Sequence, residues 1–235
     1  MFVLGTHEKN TLAQLEDVAR RAERVALMAD GHLGYIMPVG GVAAYRREVS
    51  VAGVGFDIAC GNCAMRTDLA AGDLTRDRLE LLADRIQREI SFGIGRTNAS
   101  GDAPDDHPLF EDEAWSAVPA GLHERERLRK LAREQLGTVG SGNHYVDIFA
   151  DETERVWVGV HFGSRGFGHT VAAGFMAIAS GKSWGERVPE TEALFDLASD
   201  EGERYWRLME LAGRYAYAGR EWVCRKAGDR DRRRR

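Results

Sequence analysis

Gly53-Val-Gly-Phe-Asp57-Ile-Ala-Cys60-Gly61 is the stretch on which the reading of this chain turns. It sets a carboxylate and a thiol three positions apart, with glycines on both sides. A strand cannot present Asp57 and Cys60 side by side, because its side chains alternate between faces. A tight turn can bring both onto one metal ion, or onto two ions sharing the sulfur. The glycines let the backbone bend sharply and approach a ligand closely. Around this segment, residues 30–62 hold Asp30-Gly-His32-Leu-Gly34 and Gly40-Gly41, separated by short apolar runs that suggest strands. Such glycine density suits loops at a site more than regular elements.

Working outward, residues 11–28 read as an amphipathic helix, with Leu12, Leu15, Val18, Ala22 and Val25 at helical spacing. Thr11 with Gln14 makes a candidate capping box at its start. Residues 73–90 read as a second helix with Leu79, Leu82, Ala83, Ile86 and Ile90 on one face, and 95–110 as a polar loop. A third helix is expected near 120–136, ended by Gly137. His144–Ala150 and Arg155–Phe162 are β-like runs flanking an acidic turn, so a hairpin is predicted. Residues 169–180 and 191–222 read as helices. The expected fold class is α+β, in one domain over 1–222. The arginine-rich run 223–235 reads as a solvated, disordered tail, with RNA binding as its alternative.

Bulk composition narrows the class. The 235 residues are 43% hydrophobic and 29% charged, as in soluble globular proteins. No apolar run approaches the roughly 18 residues of a membrane span, and MFVLGTHEKN lacks the pattern of a signal peptide. Three cysteines do not make a disulfide framework, which points to a reducing, cytoplasmic setting. A net charge of −5 argues against a surface coated for non-specific nucleic-acid binding, although a local basic groove remains compatible.

Two later segments carry chemistry. Gly137-Thr-Val-Gly-Ser-Gly-Asn143-His144 leads into a strand, and its small residues suit a phosphate or nucleotide lying against backbone N–H groups; a plain tight turn is the alternative. His161-Phe-Gly-Ser164-Arg165-Gly166 ends a strand and leads toward a helix, where free amides and a guanidinium favour an anion. Its alternative is a surface salt bridge at Arg165. Asp57, Cys60, His144 and His161 together form a mixed O/S/N donor set of the kind borderline divalent metals accept. Cys60-Gly-Asn-Cys63 is also a CxxC. It lacks the second Cys or His pair of a structural zinc site and the following helix of a redox motif, so Cys63 reads as a buried small residue.

The chain resembles the RtcB family of RNA-splicing ligases. The matching pieces are Met28-Ala-Asp30-Gly-His32-Leu-Gly34, Met37-Pro-Val-Gly-Gly-Val-Ala-Ala44, the Asp57–Cys60 stretch, Gly137–His144 and His161–Gly166, in the family's order from about residue 11 to about residue 222. The resemblance implies GTP- and Mn²⁺-dependent joining of RNA 3′-phosphate or 2′,3′-cyclic phosphate ends to 5′-hydroxyl ends, through a guanylylated histidine. It implies manganese ligands at Asp57, Cys60, His144 and His161, with Cys60 shared between two ions. By the same likeness, nucleotide contacts fall at Asn143, Tyr145 and Asp147, and contacts to the substrate phosphate at Ser164, Arg165 and Gly166. Asp30 and His32 belong to a further family motif. No membrane partner is implied, and a helper protein is left open.

Departures from the family pattern are mild at Ala29, Tyr145 and Asp147. The larger one concerns histidine. The seven histidines end at His169, whereas family members place a further ligand and the guanylylated residue in a later region. The expectation is a chain carrying the N-terminal portion of the ligase, incomplete at its C-terminus and unable to accept GMP. The alternative function is a catalytically inactive metal- and RNA-binding relative.

Overall fold

The computed structural model describes residues 1–98 and 103–228. The architecture is α+β, with helices interleaved among short sheets. The chain divides into two compact units, Met1–Phe56 with Val171–Arg207, and Asp57–Thr170 with Leu208 onward.

The first unit opens with β1 (Phe2–Val3), α1 (Lys9–Ala19), β2 (Arg24–His32) and β3 (Val39–Ala44). β2 lies between β1, which it pairs in parallel, and β3, which it pairs antiparallel. Leu15 and Val18 of α1 close on Val25 and Leu27 of β2, all four buried. This corrects the helix expected over 11–28. The helical periodicity fades after Ala19, and Val25 and Leu27 then alternate toward the core from a paired strand. The capping box fails for a related reason. Gln14 is used elsewhere, its amide donating to the carbonyls of Gly34 and Tyr35 and accepting from the Gly34 N–H.

β4 (Glu48–Ser50) leads into a one-turn helix, α2 (Val51–Val54), capped by the Ser50 hydroxyl. β4 pairs antiparallel with β8 (Leu194–Asp196). The helix expected over 191–222 therefore begins only at Asp200. Residues 194–196 are drawn into a strand, and the acidic residues Asp200, Glu201 and Glu203 mark the true helix start. Phe175 anchors this part of the core, its ring edge-on to Trp184, Phe195 and Tyr205.

The second unit is built on the antiparallel sheet β5 (Gly61–Ala70), β7 (Arg155–Phe162), β6 (Tyr145–Ala150), in that spatial order. The predicted hairpin is β6–β7. In the central strand β7, Val156, Val158, Val160 and Phe162 point into the core, while Trp157, Gly159 and His161 take the other face. Ile86 and Ile90 of α3 (Arg76–Glu89 plus its C-cap) and Val223, Cys224 and Ala227 of α6 (Asp200–Gly228) cover the core face. Thr75 caps α3 through a hydrogen bond from the Arg78 N–H. Leu79 and Ala83, expected on the buried face, are exposed.

α4 (Gly121–Gln135) ends at Gly137, whose φ of +85° suits the expected glycine stop. Within 95–110, expected as a polar loop, Leu109 and Phe110 form a 3₁₀ turn and are buried. α5 (Arg165–Ala179) begins four residues earlier than the periodicity suggested, so Arg165 and Gly166 sit in its first turn. Phe167 is packed between Trp115 and Tyr215. α6 runs through Gly228 because Val223, Cys224 and Ala227 bury apolar surface, each such side chain contributing about 1–3 kcal/mol. The boundary of the expected tail moves accordingly, and residues 229–235 lie outside the described residues. Among the described residues no helix is long and apolar enough to cross a membrane.

Candidate metal centre

Two segments of the second unit, at His144 and at His161, converge on the Asp57–Cys60 turn. Asp57 and Cys60 stand on the turn expected from the sequence, closed by the Cys60 N–H donating to the Asp57 carbonyl at 2.9 Å. Ala59 takes φ +56°, a conformation costly for a residue with a Cβ, so the turn is imposed by its surroundings. Asp57, Cys60 and His144 offer ligand atoms that all lie within 4.8 Å of one another. His144 Nε2 is 2.9 Å from Asp57 Oδ2 and 3.7 Å from Cys60 Sγ, and His161 Nε2 is 3.3 Å from the same sulfur. Cys60 thus stands between the two histidines.

Both rings are oriented from behind. His144 Nδ1 lies 2.9 Å from the Val139 carbonyl, which can only accept, so a proton resides on Nδ1 and Nε2 is the nitrogen turned inward, toward Asp57 Oδ2 and Cys60 Sγ. His161 Nδ1 donates to Asn62 Oδ1 at 2.8 Å, with the same consequence. The sheet register supplies that partner. Asn62, His161 and Tyr145 are direct cross-strand neighbours on β5, β7 and β6. Tyr145 stacks on the His161 ring at 5.5 Å and donates its hydroxyl to Asn62 at 3.1 Å.

Charge follows from this arrangement. Burial works to raise the Asp57 carboxyl, but hydrogen bonds from His144 and Cys60 outweigh it and hold the group below its ordinary value. Cys60 is an exposed residue whose thiol is nonetheless partly desolvated, and that desolvation, followed by its hydrogen bond with Asp57 and the Asp57 charge, pushes the thiol up to about 12. His161 is lowered by burial and then by His144, which keeps it a neutral donor. Asp57, Cys60 and His144, a carboxylate, a thiol and an imidazole, fit a borderline divalent cation and are the residues that would hold it, with His161 beside the same sulfur.

A proton linkage follows. With its folded value near 12 against an ordinary 9.0, Cys60 is protonated throughout the neutral range, and an ion that takes the thiolate must expel that proton. Affinity for a divalent cation that takes the thiolate is therefore expected to rise with pH, about tenfold per unit while this is the only proton displaced. Calorimetric titration at pH 8 in two buffers of different ionisation enthalpy should report about one proton released per Cys60 ligated. Zero release would show that the thiol is not a ligand. In the metal-free chain the sign is opposite, because the raised thiol stabilises the fold below about 9 and that contribution is lost as pH climbs toward 12.

Arg165 borders the centre. It holds φ +56° at the first position of α5, its Nε donates to Thr138 Oγ1 at 3.2 Å, and one terminal nitrogen lies 3.4 Å from His144 Nδ1. A Cβ on Gly140 would come within 2.3 Å of that nitrogen, so glycine is what lets the guanidinium lie against the loop. Gly163 serves Asp57 likewise, since a Cβ there would meet the carboxylate at 2.5 Å. Among the described residues Arg165 makes no ion pair with a carboxylate. Burial draws its guanidinium below the usual value without discharging it.

The remaining expected site residues are spread around this core. Asn143 is exposed, its amide 3.5 Å from His161 Nε2. Tyr145 and Asp147 line an open cavity of about 960 Å³ together with Phe92, Arg88 and Arg96. Ser164 is fully buried, with no hydrogen-bond partner for its hydroxyl among the described residues, and the Gly166 N–H donates to Gln135 Oε1. Of the three expected phosphate contacts, Arg165 is therefore the one whose polar atoms face the centre. Asp30 and His32 lie in the first unit, where the His32 ring bonds the Asp30 carbonyl. Cys63 faces the core near Cys224, whose thiol is 3.6 Å from the Cys63 carbonyl. Sequence reasoning missed Asn62, Thr138 and the Val139 carbonyl as supports. Asn62 alone left a trace, as the polar residue inside Cys60-Gly-Asn-Cys63.

Comparison with known proteins identifies the family. The family model described as tRNA-splicing ligase RtcB matches residues 10–230. A tRNA-splicing ligase RtcB of Pyrobaculum aerophilum is 34% identical over 84% of this chain and 49% of its own length. One from Nanoarchaeum equitans is 30% identical over 92% of this chain and 54% of its own. The RNA-splicing ligase RtcB of Escherichia coli K12 is 34% identical over 67% of this chain and 40% of its own. The chain spans about half the length of the curated relatives it matches. The family model over residues 10–230, with relatives at 30–34% identity over most of the chain, shows that the chain belongs to the RtcB family.

Proposed function

We propose that the protein acts in RNA ligation of the GTP- and Mn²⁺-dependent kind that joins 3′-phosphate or 2′,3′-cyclic phosphate ends to 5′-hydroxyl ends through a guanylylated histidine, a residue that by the family pattern is not among the seven histidines of this sequence. The observation that carries this reading is Cys60 Sγ, within 3.3 and 3.7 Å of two histidine nitrogens oriented as ligands, next to a guanidinium without a carboxylate partner. Asp57, Cys60 and His144 would hold one cation, and Cys60 with His161 a second. Bound there, the cations would supply charge neutralisation to phosphate oxygens. Arg165 binds and orients the RNA 3′-phosphate through a charge-assisted contact. Asn143 stands at the centre's rim, and Tyr145 and Asp147 on the cavity wall, where an aromatic face and a carboxylate suit a guanine base. The site of action is the cytoplasm, with RNA and GTP as partners.

The test uses a nicked RNA with a 2′,3′-cyclic phosphate and a 5′-hydroxyl, and fluorescent single strands ending in 3′-phosphate or 3′-hydroxyl. Joining that requires both GTP and Mn²⁺ is the outcome expected of the full reaction. Mn²⁺-dependent preference for the 3′-phosphate strand, about tenfold or more, without joining would support the metal- and RNA-binding relative instead. Absence of both joining and end preference would overturn the two readings together.

A further inference from the structure

Arg220 lies on α6, outside every segment that the sequence marked as part of the site. It is 2% exposed, a rare position for a guanidinium. Among the described residues no carboxylate pairs with it and its Nε has no hydrogen-bond partner, so its burial is not explained by an ion pair. What it does touch is specific. One terminal nitrogen donates to two backbone carbonyls, that of Ala59 at 2.7 Å and that of Phe162 at 2.6 Å. The other lies beside Gly61, 3.8 Å from where a Cβ would stand. Ala59 and Gly61 flank Cys60, and Phe162 follows His161.

We propose that Arg220 is a positioning residue for the metal centre, tying the Asp57–Cys60 turn to the end of β7 so that Cys60 Sγ and His161 Nε2 are held at ligand-sharing distance. The inference rests on the reading of Asp57, Cys60, His144 and His161 as metal ligands. Cys60 sits on a turn whose preceding residue is in the left-handed region, and a turn of that kind relaxes unless its carbonyl is held. Cys60 and His161 are 101 positions apart and belong to different elements, so their spacing depends on a link between the two backbones. One nitrogen bonded to both provides that link directly. The guanidinium suits it because its planar, rigid head fixes the direction of both N–H groups on that nitrogen, whereas Lys carries its donors on a flexible stem and holds the same two carbonyls less rigidly. Tyr217 covers the guanidinium at 4.7 Å and keeps it turned toward the carbonyls.

Arg220→Lys and Arg220→Gln in the 235-residue chain test this, with Mn²⁺ affinity by calorimetry and Co²⁺ as an optical probe. Thiolate-to-cobalt charge-transfer absorption reports whether Cys60 ligates. Both variants are expected to fold, judged by circular dichroism without metal. Mn²⁺ should bind about 10- to 100-fold more weakly, the range for groups that orient a ligand. The charge-transfer band should fall, with Lys retaining more of it than Gln. Folded variants with unchanged affinity and an unchanged band would overturn the proposal. Failure of both variants to fold would assign Arg220 to the core and overturn it equally. A wild-type chain that binds no Mn²⁺, or whose cobalt band survives Cys60→Ala, would instead refute the metal reading beneath it.

Discussion

Cys60→Ala is expected to abolish high-occupancy metal binding while leaving the fold intact. The residue opens to solvent and contributes no apolar surface to the core, so its truncation falls among surface changes of roughly half a kcal/mol or less. Its sulfur, however, is the atom that both histidines approach, at 3.3 and 3.7 Å. Without it, Asp57 and His144 remain on one side and His161 on the other, with no shared donor between them. Altering a group that merely orients a ligand costs about 10- to 100-fold in affinity, and deletion of a shared ligand should exceed the upper end of that range. Elemental analysis of protein purified in Mn²⁺, beside thermal melts without metal, separates the two effects. Unchanged metal content would remove Cys60 from the centre, and a collapsed melt would show that it is structural.

Arg165→Ala is expected to separate phosphate recognition from metal binding. The guanidinium touches Thr138 Oγ1 and the His144 ring edge, and no carboxylate among the described residues neutralises it. A half-buried cation in that state is stabilised by an incoming anion. A hydrogen bond to a charged group contributes about 1.5–3 kcal/mol, so affinity for an RNA 3′-phosphate should fall roughly 10- to 150-fold, with Mn²⁺ affinity within about threefold of wild type. Arg165→Lys should recover part of the charge but not the forked geometry. Fluorescence anisotropy with 3′-phosphate and 3′-hydroxyl strands reads the difference, since Arg165 should matter for the first and little for the second. An equal loss of metal and phosphate binding would contradict this division of roles.

The local chemistry of the site was legible because its parts are short and repetitive in type. Asp57 and Cys60 among glycines, Asn143-His144 after a glycine loop and His161 before Gly-Ser-Arg each mark a candidate donor in a few residues, and the structure brings Asp57, Cys60, His144 and His161 together. The β6–β7 hairpin and the glycine stop of α4 were legible for the same reason, as local backbone preference decides them. The errors lie where tertiary pairing overrode periodicity. Val25 and Leu27 fit a helical stripe as well as an alternating strand, and only partners on β1 and β3 decided between them. Leu194–Asp196 became a strand because β4 offered an edge, and 223–228 stayed helical because the core of the second unit needed its apolar face.

By itself, then, the sequence determined the α+β class, the family and the identities of the candidate donor side chains, because donor chemistry is a property of residue type. The tertiary structure decided what holds them. The sheet register put Asn62 behind His161, the loop after α4 put the Val139 carbonyl behind His144, and α6 carried Arg220 to the Ala59 and Phe162 carbonyls. Those supports use backbone atoms and partners distant in the chain, and such contacts leave almost no mark on residue type or spacing.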